Sequence, residues 1–311
     1  MKRRLLVWML GVCLLFAACA KKNEPAPAPS ENVTDETEAD TEENQKEPSE
    51  SQDGEEAKGK ESSQEQDAKE ETPEEPQQEA EASQEPEVSF VDYSQDIQEE
   101  GSGLLLLSVM ENCPVISIAG NDAAAEKMNM VFEQQHTSNQ TYIEEDTELA
   151  RSVYKDLSEE EKGSWTGYGY GATYKVAYSS PEILSIICDS YEWQGTPHPN
   201  TWSSTYCFDV PTGKLLSLAD IFTDKAKAGE IVDQHILDTI TSEPYKDYLL
   251  EGYESFVSDI LREDVFYLNE QGLVVICNPY MVTAYAGGSI EIEVPYEALK
   301  DVMNADYIRE K

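Results

Sequence analysis

Histidine is scarce in this chain: three among 311 residues, at positions 136, 198 and 235. Proton transfer needs a base and a group to orient it, and a zinc site needs three or four convergent ligands, so so few histidines, without shared spacing, argue against both. Basic residues are scarce too, 22 Lys and Arg against 63 Asp and Glu, a formal net charge of -41. Such a field repels nucleic acid and anionic lipid and attracts cations. No His-Glu-x-x-His helix, phosphate loop or serine nucleophile elbow is present. Of six cysteines none has the Cys-x-x-Cys spacing of a zinc or redox motif. From Ala20 to Glu87 aromatic residues are absent altogether. A segment so poor in apolar surface cannot offset backbone ordering at roughly 1 to 2 kcal/mol per residue, so disorder is expected there.

The first residues, MKRRLLVWMLGVCLLFAACA, set Lys2, Arg3 and Arg4 before a short apolar run ending in small residues, the layout of an export signal. FAAC around Cys19 resembles the lipobox of bacterial lipoproteins, with Phe16 where leucine is usual. That resemblance implies cleavage after residue 18, lipidation at Cys19 and a chain held on the outer face of the cell membrane, with residues 19–89 an acidic tether. A further 90–180 and 181–311 form the two expected subdomains of an α+β fold, mainly antiparallel sheet packed with several helices.

Asn121 is placed to cap a helix with Ala125, Met128 and Phe132 on one face, and Leu149, Val153 and Leu157 suggest a second helix. The segments on either side of QGTPHPN read as an antiparallel hairpin. Setting Trp193 opposite Trp202 also aligns Cys188 with Cys207, where a disulfide could form, the alternative being two half-buried thiols. Two amphipathic helices are expected around Pro244, then strands, an irregular Tyr-rich segment and a closing helix. His198, held between Pro197 and Pro199, reads as a turn residue that packs or hydrogen-bonds locally. Asp220 and Asp224 lack the alternating oxygen ligands of a calcium loop, and no metal or cofactor is expected.

FDVPTGKLLSLADIF and GLVVICNPYMVTAYAGGSIEIEVPYEAL resemble the RsiV/PdaC-like family of secreted domains from Gram-positive bacteria. The positions carrying the resemblance are Gly195 and His198, then Phe208, Asp209, Thr212, Gly213, Lys214, Asp220 and Phe222. Pro279, Tyr280, Tyr285, Ala286, Gly288, Pro295 and Tyr296 complete the set. The family's Gly-Gly-Ala-His loop is Gly-Thr-Pro-His here, and Ala284 stands where proline is usual. In that family the domain is the outer half of a lysozyme-sensing anti-sigma factor or precedes the catalytic part of a peptidoglycan deacetylase. The resemblance thus implies a non-catalytic module for a cationic protein such as lysozyme, or for a cell-wall component. Trp193, His198, Trp202, Tyr280, Tyr285 and Gly288 are the candidate ligand-binding residues, because aromatics on irregular segments can anchor a protein or stack on a sugar. A peptidoglycan-acting enzyme or carbohydrate-binding module, and a purely structural envelope lipoprotein, remain the alternatives.

Overall fold

The computed structural model describes residues 84–308. The expected signal, Cys19 and most of the expected tether lie outside the described residues. The tether's last residues do not: β1 (Glu87–Asp92) pairs antiparallel with β3, so Glu87 to Ser89 are strand. β2 (Gln95–Gln98) pairs with the same long strand, β3 (Leu105–Ser117).

Asn121 then caps α1 (Asp122–Asp156), its side chain accepting from the Ala124 N–H. The two helices read around residues 122–157 are this one helix of 35 residues; its buried face runs from Ala124 and Met128 through Phe132 to Ile143 and Ala150. No proline or glycine interrupts it, so backbone hydrogen bonding propagates through the polar middle where the apolar period weakens. A short α2 (Glu159–Lys162) leads into β4 (Tyr168–Ser179), β5 (Ile183–Trp193), β6 (Asn200–Asp209) and β7 (Lys214–Leu215). The large sheet runs β1-β3-β4-β5-β6-β7, antiparallel except where β4 lies parallel to β3. The expected boundary at residues 180 and 181 falls in the turn between the neighbouring strands β4 and β5. In β4, Gly171 lies beneath the Tyr191 ring: a Cβ there would come within 2.2 Å of it.

β5 separates two apolar cores. Leu184, Ile186 and Cys188 join Phe208 and α1 in one; Ile183, Ile187 and Cys207 belong to the other. That second core contains α3 (Leu218–Ile221), α4 (Lys225–Ile240), α5 (Tyr296–Leu299) and a sheet of β8 (Phe266–Leu268), β9 (Gly272–Cys277) and β10 (Ile290–Pro295). The small sheet is tied to the large one by Ser185 Oγ donating to the Leu268 carbonyl (2.7 Å) and the Thr205 N–H to that of Asp264 (2.9 Å). Residues 245–263, expected as an amphipathic helix, instead form 3₁₀ turns at Lys246–Tyr248 and Tyr253–Asp259, broken at Gly252 with φ +74°.

The hairpin forms, but in another register. Ser190 faces Trp202, Cys188 faces Ser204 and Ser185 faces Cys207. The expected alignment is offset by three residues, an odd shift that would exchange the faces of one strand. Cys188 and Cys207 consequently lie in opposite cores as thiols, not as a disulfide, and all four cysteines of the described domain are buried and outside any disulfide. β5 is buried on both faces from Ile183 to Cys188, so its hydrophobic pattern alone did not distinguish the registers.

Candidate functional site

The β5–β6 loop and the irregular segment between β9 and β10 meet at the surface. Trp193 ends β5, and its Nε1 donates to the Thr196 carbonyl (2.6 Å), curling the loop back on itself. Thr196 Oγ1 donates in turn to the His198 carbonyl (2.7 Å). The His198 ring is thereby set over Tyr285, with ring centroids 4.0 Å apart and planes 16° from parallel. Tyr280 stands 6.0 Å from Tyr285 between centroids, its hydroxyl 3.2 Å from His198 Nε2. His198 Nδ1 lies 3.0 Å from the Pro199 carbonyl, which can only accept, so this nitrogen carries a proton. The ring thus spends its polar atoms on a backbone carbonyl and a tyrosine, not on an orienting carboxylate.

The partner segment is anchored from below. Asn278, buried at the end of β9, pairs with the backbone of Ser203 in both directions: the Ser203 N–H donates to Oδ1 (2.7 Å) and Nδ2 donates to the Ser203 carbonyl (2.9 Å). The Tyr280 N–H donates to the Thr283 carbonyl (2.9 Å), closing a turn in which Tyr280 takes a φ of +68°. That left-handed backbone is costly for a bulky L-residue. It points the half-exposed Tyr280 ring towards His198.

Of the six sequence-derived candidates, His198, Tyr280 and Tyr285 converge in one platform. Trp193 supports it through its bond to Thr196. Gly288, with φ +67°, closes the Tyr285 turn by donating its N–H to the Tyr285 carbonyl (3.0 Å). Trp202 lies in a neighbouring groove of about 320 Å³ with Thr173, Asp189, Tyr191 and Ser203, bounded by Ser289. The other histidines are elsewhere: His136 contacts Glu111 and stacks on Tyr93, and His235 bonds its own helix at Ile231. Among the described residues no group of three or more His, Cys, Asp or Glu is placed to hold a metal ion. Asp220 is occupied by Lys214 and Ser217, and Asp224 caps α4.

Two family models match in succession: one described as deacetylase PdaC over residues 105–201, and one described as a protein of unknown function, DUF3298, over residues 219–297. The fold is similar to the crystal structure of a DUF3298-family member from Bacteroides fragilis, 17% identical with a TM-score of 0.54, covering 73% of this chain and 96% of that one. A DUF3298-family protein from Pseudomonas aeruginosa is 12% identical with a TM-score of 0.50, covering 72% and 98%. At these identities the likeness is one of fold. No curated protein matches the chain in sequence. The chain carries a PdaC/RsiV-like domain.

Within the PdaC/RsiV-like domain the residues of the resemblance divide by role. Asp209, Thr212 and Gly213 build the β6–β7 turn: Asp209 Oδ1 accepts from the Thr212 N–H (3.0 Å) and the Asp209 carbonyl from the Gly213 N–H (2.9 Å). Tyr296 is buried, with its hydroxyl donating to the Asn269 carbonyl (2.8 Å). The Gly195–His198 loop and the Tyr280–Gly288 segment meet at the surface, through His198, Tyr280 and Tyr285.

Two polar assemblies escaped the reading of the sequence. Glu111, 1% exposed, accepts from Asn139 Nδ2 (2.9 Å) and Gln140 Nε2 (3.3 Å) and lies 3.0 Å from His136 Nδ1, fastening α1 to β3. Its signal was present, since an acid interrupts the apolar alternation of Leu107, Val109 and Cys113. The second assembly adjoins the platform. Gln194 Nε2 donates to Asp146 Oδ1 on α1 (2.9 Å) and to Glu192 Oε1 on β5 (2.5 Å). Glu192 and Gln194 also line a cleft of about 290 Å³ with Thr196, Pro197, His198 and Asn200. Burial, then the neighbouring Glu192 charge, pushes Asp146 up to about 7; the Gln194 bond partly offsets them.

Proposed function

We propose that this chain is a lipid-anchored extracellular module that grips a protein or cell-wall ligand at the His198, Tyr280 and Tyr285 platform and catalyses nothing there. The observation that carries the reading is the platform itself: three ring faces drawn from two separate segments and presented at the surface, one of them held in a costly backbone conformation. Rings stacked in this way offer rigid contact area to a partner at little entropic cost. The lipobox-like Cys19 and the acidic tether support an attachment that holds the domain away from a membrane.

The acidic excess favours a cationic partner, and a lysozyme is the concrete candidate that the family resemblance supplies. With the full chain captured on a sensor and lysozyme flowed over it at low ionic strength, micromolar or tighter binding is expected, with an association rate that falls steeply with salt. Tyr280→Ala and Tyr285→Ala should weaken binding while the melting temperature holds. Absence of binding by the wild-type chain would remove lysozyme as the partner.

The groove beside Trp202 favours a second occupant, a wall glycan. Trp202 and Tyr191 supply ring faces there, and Thr173, Ser190, Thr201 and Ser203 supply hydroxyl groups. Co-sedimentation with purified wall would support this reading. Acetate release from the same wall would instead make the chain an enzyme and overturn the non-catalytic one.

A further inference from the structure

Two glycines lie within β4, Gly169 and Gly171, where each costs about 0.5 to 1 kcal/mol relative to alanine and leaves no side chain to pack. Tyr168, Tyr170, Ala172 and Tyr174 join the core beneath α1, so by alternation the two glycines face the opposite side of the large sheet. Tyr191 of β5 takes their space. A Cβ on Gly171 would come within 2.2 Å of its Cε1 and one on Gly169 within 3.2 Å of its Cε2, so opposite edges of the ring rest on one neighbouring strand. The half-buried ring is thereby laid across β4, with one face on the backbone and the other turned off the sheet. Met110, opposite Gly171 in β3 and 52% exposed, extends this floor. The walls are polar: Thr173, Asp189, Thr201 and Ser203 line the same groove of about 320 Å³.

We propose that the Tyr191 ring, seated on Gly169 and Gly171, is the floor of a sugar subsite: one pyranose of an uncharged glycan stacks on it, and Asp189 with the Thr173 and Thr201 hydroxyls meets the sugar's hydroxyl groups. This subsite rests on the wall-glycan reading of the groove beside Trp202, and assigns the stacking ring and the charge class of the sugar. A pyranose offers a flat apolar face and a hydroxyl rim, which match the floor and the walls. Asp189 accepts from Ser203 Oγ at Oδ1 and from Lys175 Nζ at Oδ2, 2.7 Å each. A carboxylate has about four acceptor sites, so room is left for an incoming hydroxyl. Charge decides the class: Lys175 is already paired with Asp189, and a net charge of -41 repels anionic polymers. The glycines set the depth, because a side chain at Gly171 would lift the ring into the groove.

Calorimetric titration of the full chain with the soluble tetramer of N-acetylglucosamine tests the subsite. Saturable binding is expected, with an affinity that stays level from low to high salt, because an uncharged ligand has no charge to screen. Tyr191→Phe should bind as wild type, and Tyr191→Ala about tenfold more weakly. Tyr191→Leu covers the glycines without offering a flat face; it should fail as the Ala variant does, and serves if that variant does not fold. Gly171→Ala, which displaces the ring, should weaken binding too. Tyr280→Ala, which alters only the platform, should bind as wild type. Undiminished binding by the Ala and Leu variants of Tyr191, or an equal loss in Tyr280→Ala, would overturn the subsite. Wild-type chain that pellets with purified wall yet ignores the tetramer would also overturn it, while leaving the wall-glycan reading of the groove in place.

Discussion

His198 and Tyr285 stack face to face across the junction of the β5–β6 loop and the 279–289 segment, 4.0 Å between ring centroids. Neither segment is strand or α-helix, the second carrying only a 3₁₀ turn at Tyr285–Gly287, and each packs a ring against the other. The platform is therefore a property of the joint between them, and substitutions in it should separate binding from folding.

Tyr280 gives the sharpest separation. Its φ of +68° costs a bulky residue about 1 to 2 kcal/mol, which glycine avoids. Tyr280→Gly is thus expected to melt at the same temperature as wild type or higher, despite losing the hydroxyl contact with His198. Binding by the same variant should weaken. A clear drop in melting temperature would mean that the ring supports the fold.

The hairpin register has a chemical signature. Cys188 and Cys207 point into opposite cores, and burial pushes the thiols of Cys113, Cys188 and Cys277 up to about 11, away from the reactive thiolate. Native chain at about pH 8 should alkylate slowly at all four domain cysteines, and denatured chain completely, without reductant. A Cys188–Cys207 linked peptide in the digest would contradict the register.

Glu111 holds α1 on β3 from within the core. Glu111→Leu leaves the amide of buried Asn139 without its acceptor and should cost about 2 to 4 kcal/mol in denaturant unfolding. Glu111→Gln keeps a side-chain acceptor and should cost less. Equal stability of the Leu variant and wild type would show that the network contributes nothing net.

Asp146 should make the folded state lose stability with rising pH. Its proton is held up to about 7 when folded, against about 4 for an ordinary carboxyl in the unfolded chain, so between those values the folded state binds more protons. Its contribution to stability is fully present below about pH 4, is lost progressively up to about pH 7 and is level above, a change on the order of a few kcal/mol. Unfolding of wild type and Asp146→Asn across this range isolates the term as the difference in slope. Parallel curves would exclude it.

The sequence exposed some of this structure and hid the rest for definite reasons. Asn121 announces the start of α1 because a cap is settled by bonds within three residues. The continuity of that helix to Asp156 was missed because its polar middle reads as a break, although nothing in it stops backbone hydrogen bonding. Tyr280 and Tyr285 were visible as aromatics on an irregular segment. That His198 would be their partner was not, since the contact spans the sequence from residue 198 to residue 285.

By itself the sequence determined the α+β class and the aromatic segments from which the site is built. Those features rest on composition and on interactions over a few residues. Tertiary structure alone decided the register of β5 on β6, the meeting of His198 with Tyr285, and the burial that raises the Asp146 carboxyl. Each depends on which face of a doubly buried strand meets which core, and a strand apolar on both faces does not carry that choice in its own pattern.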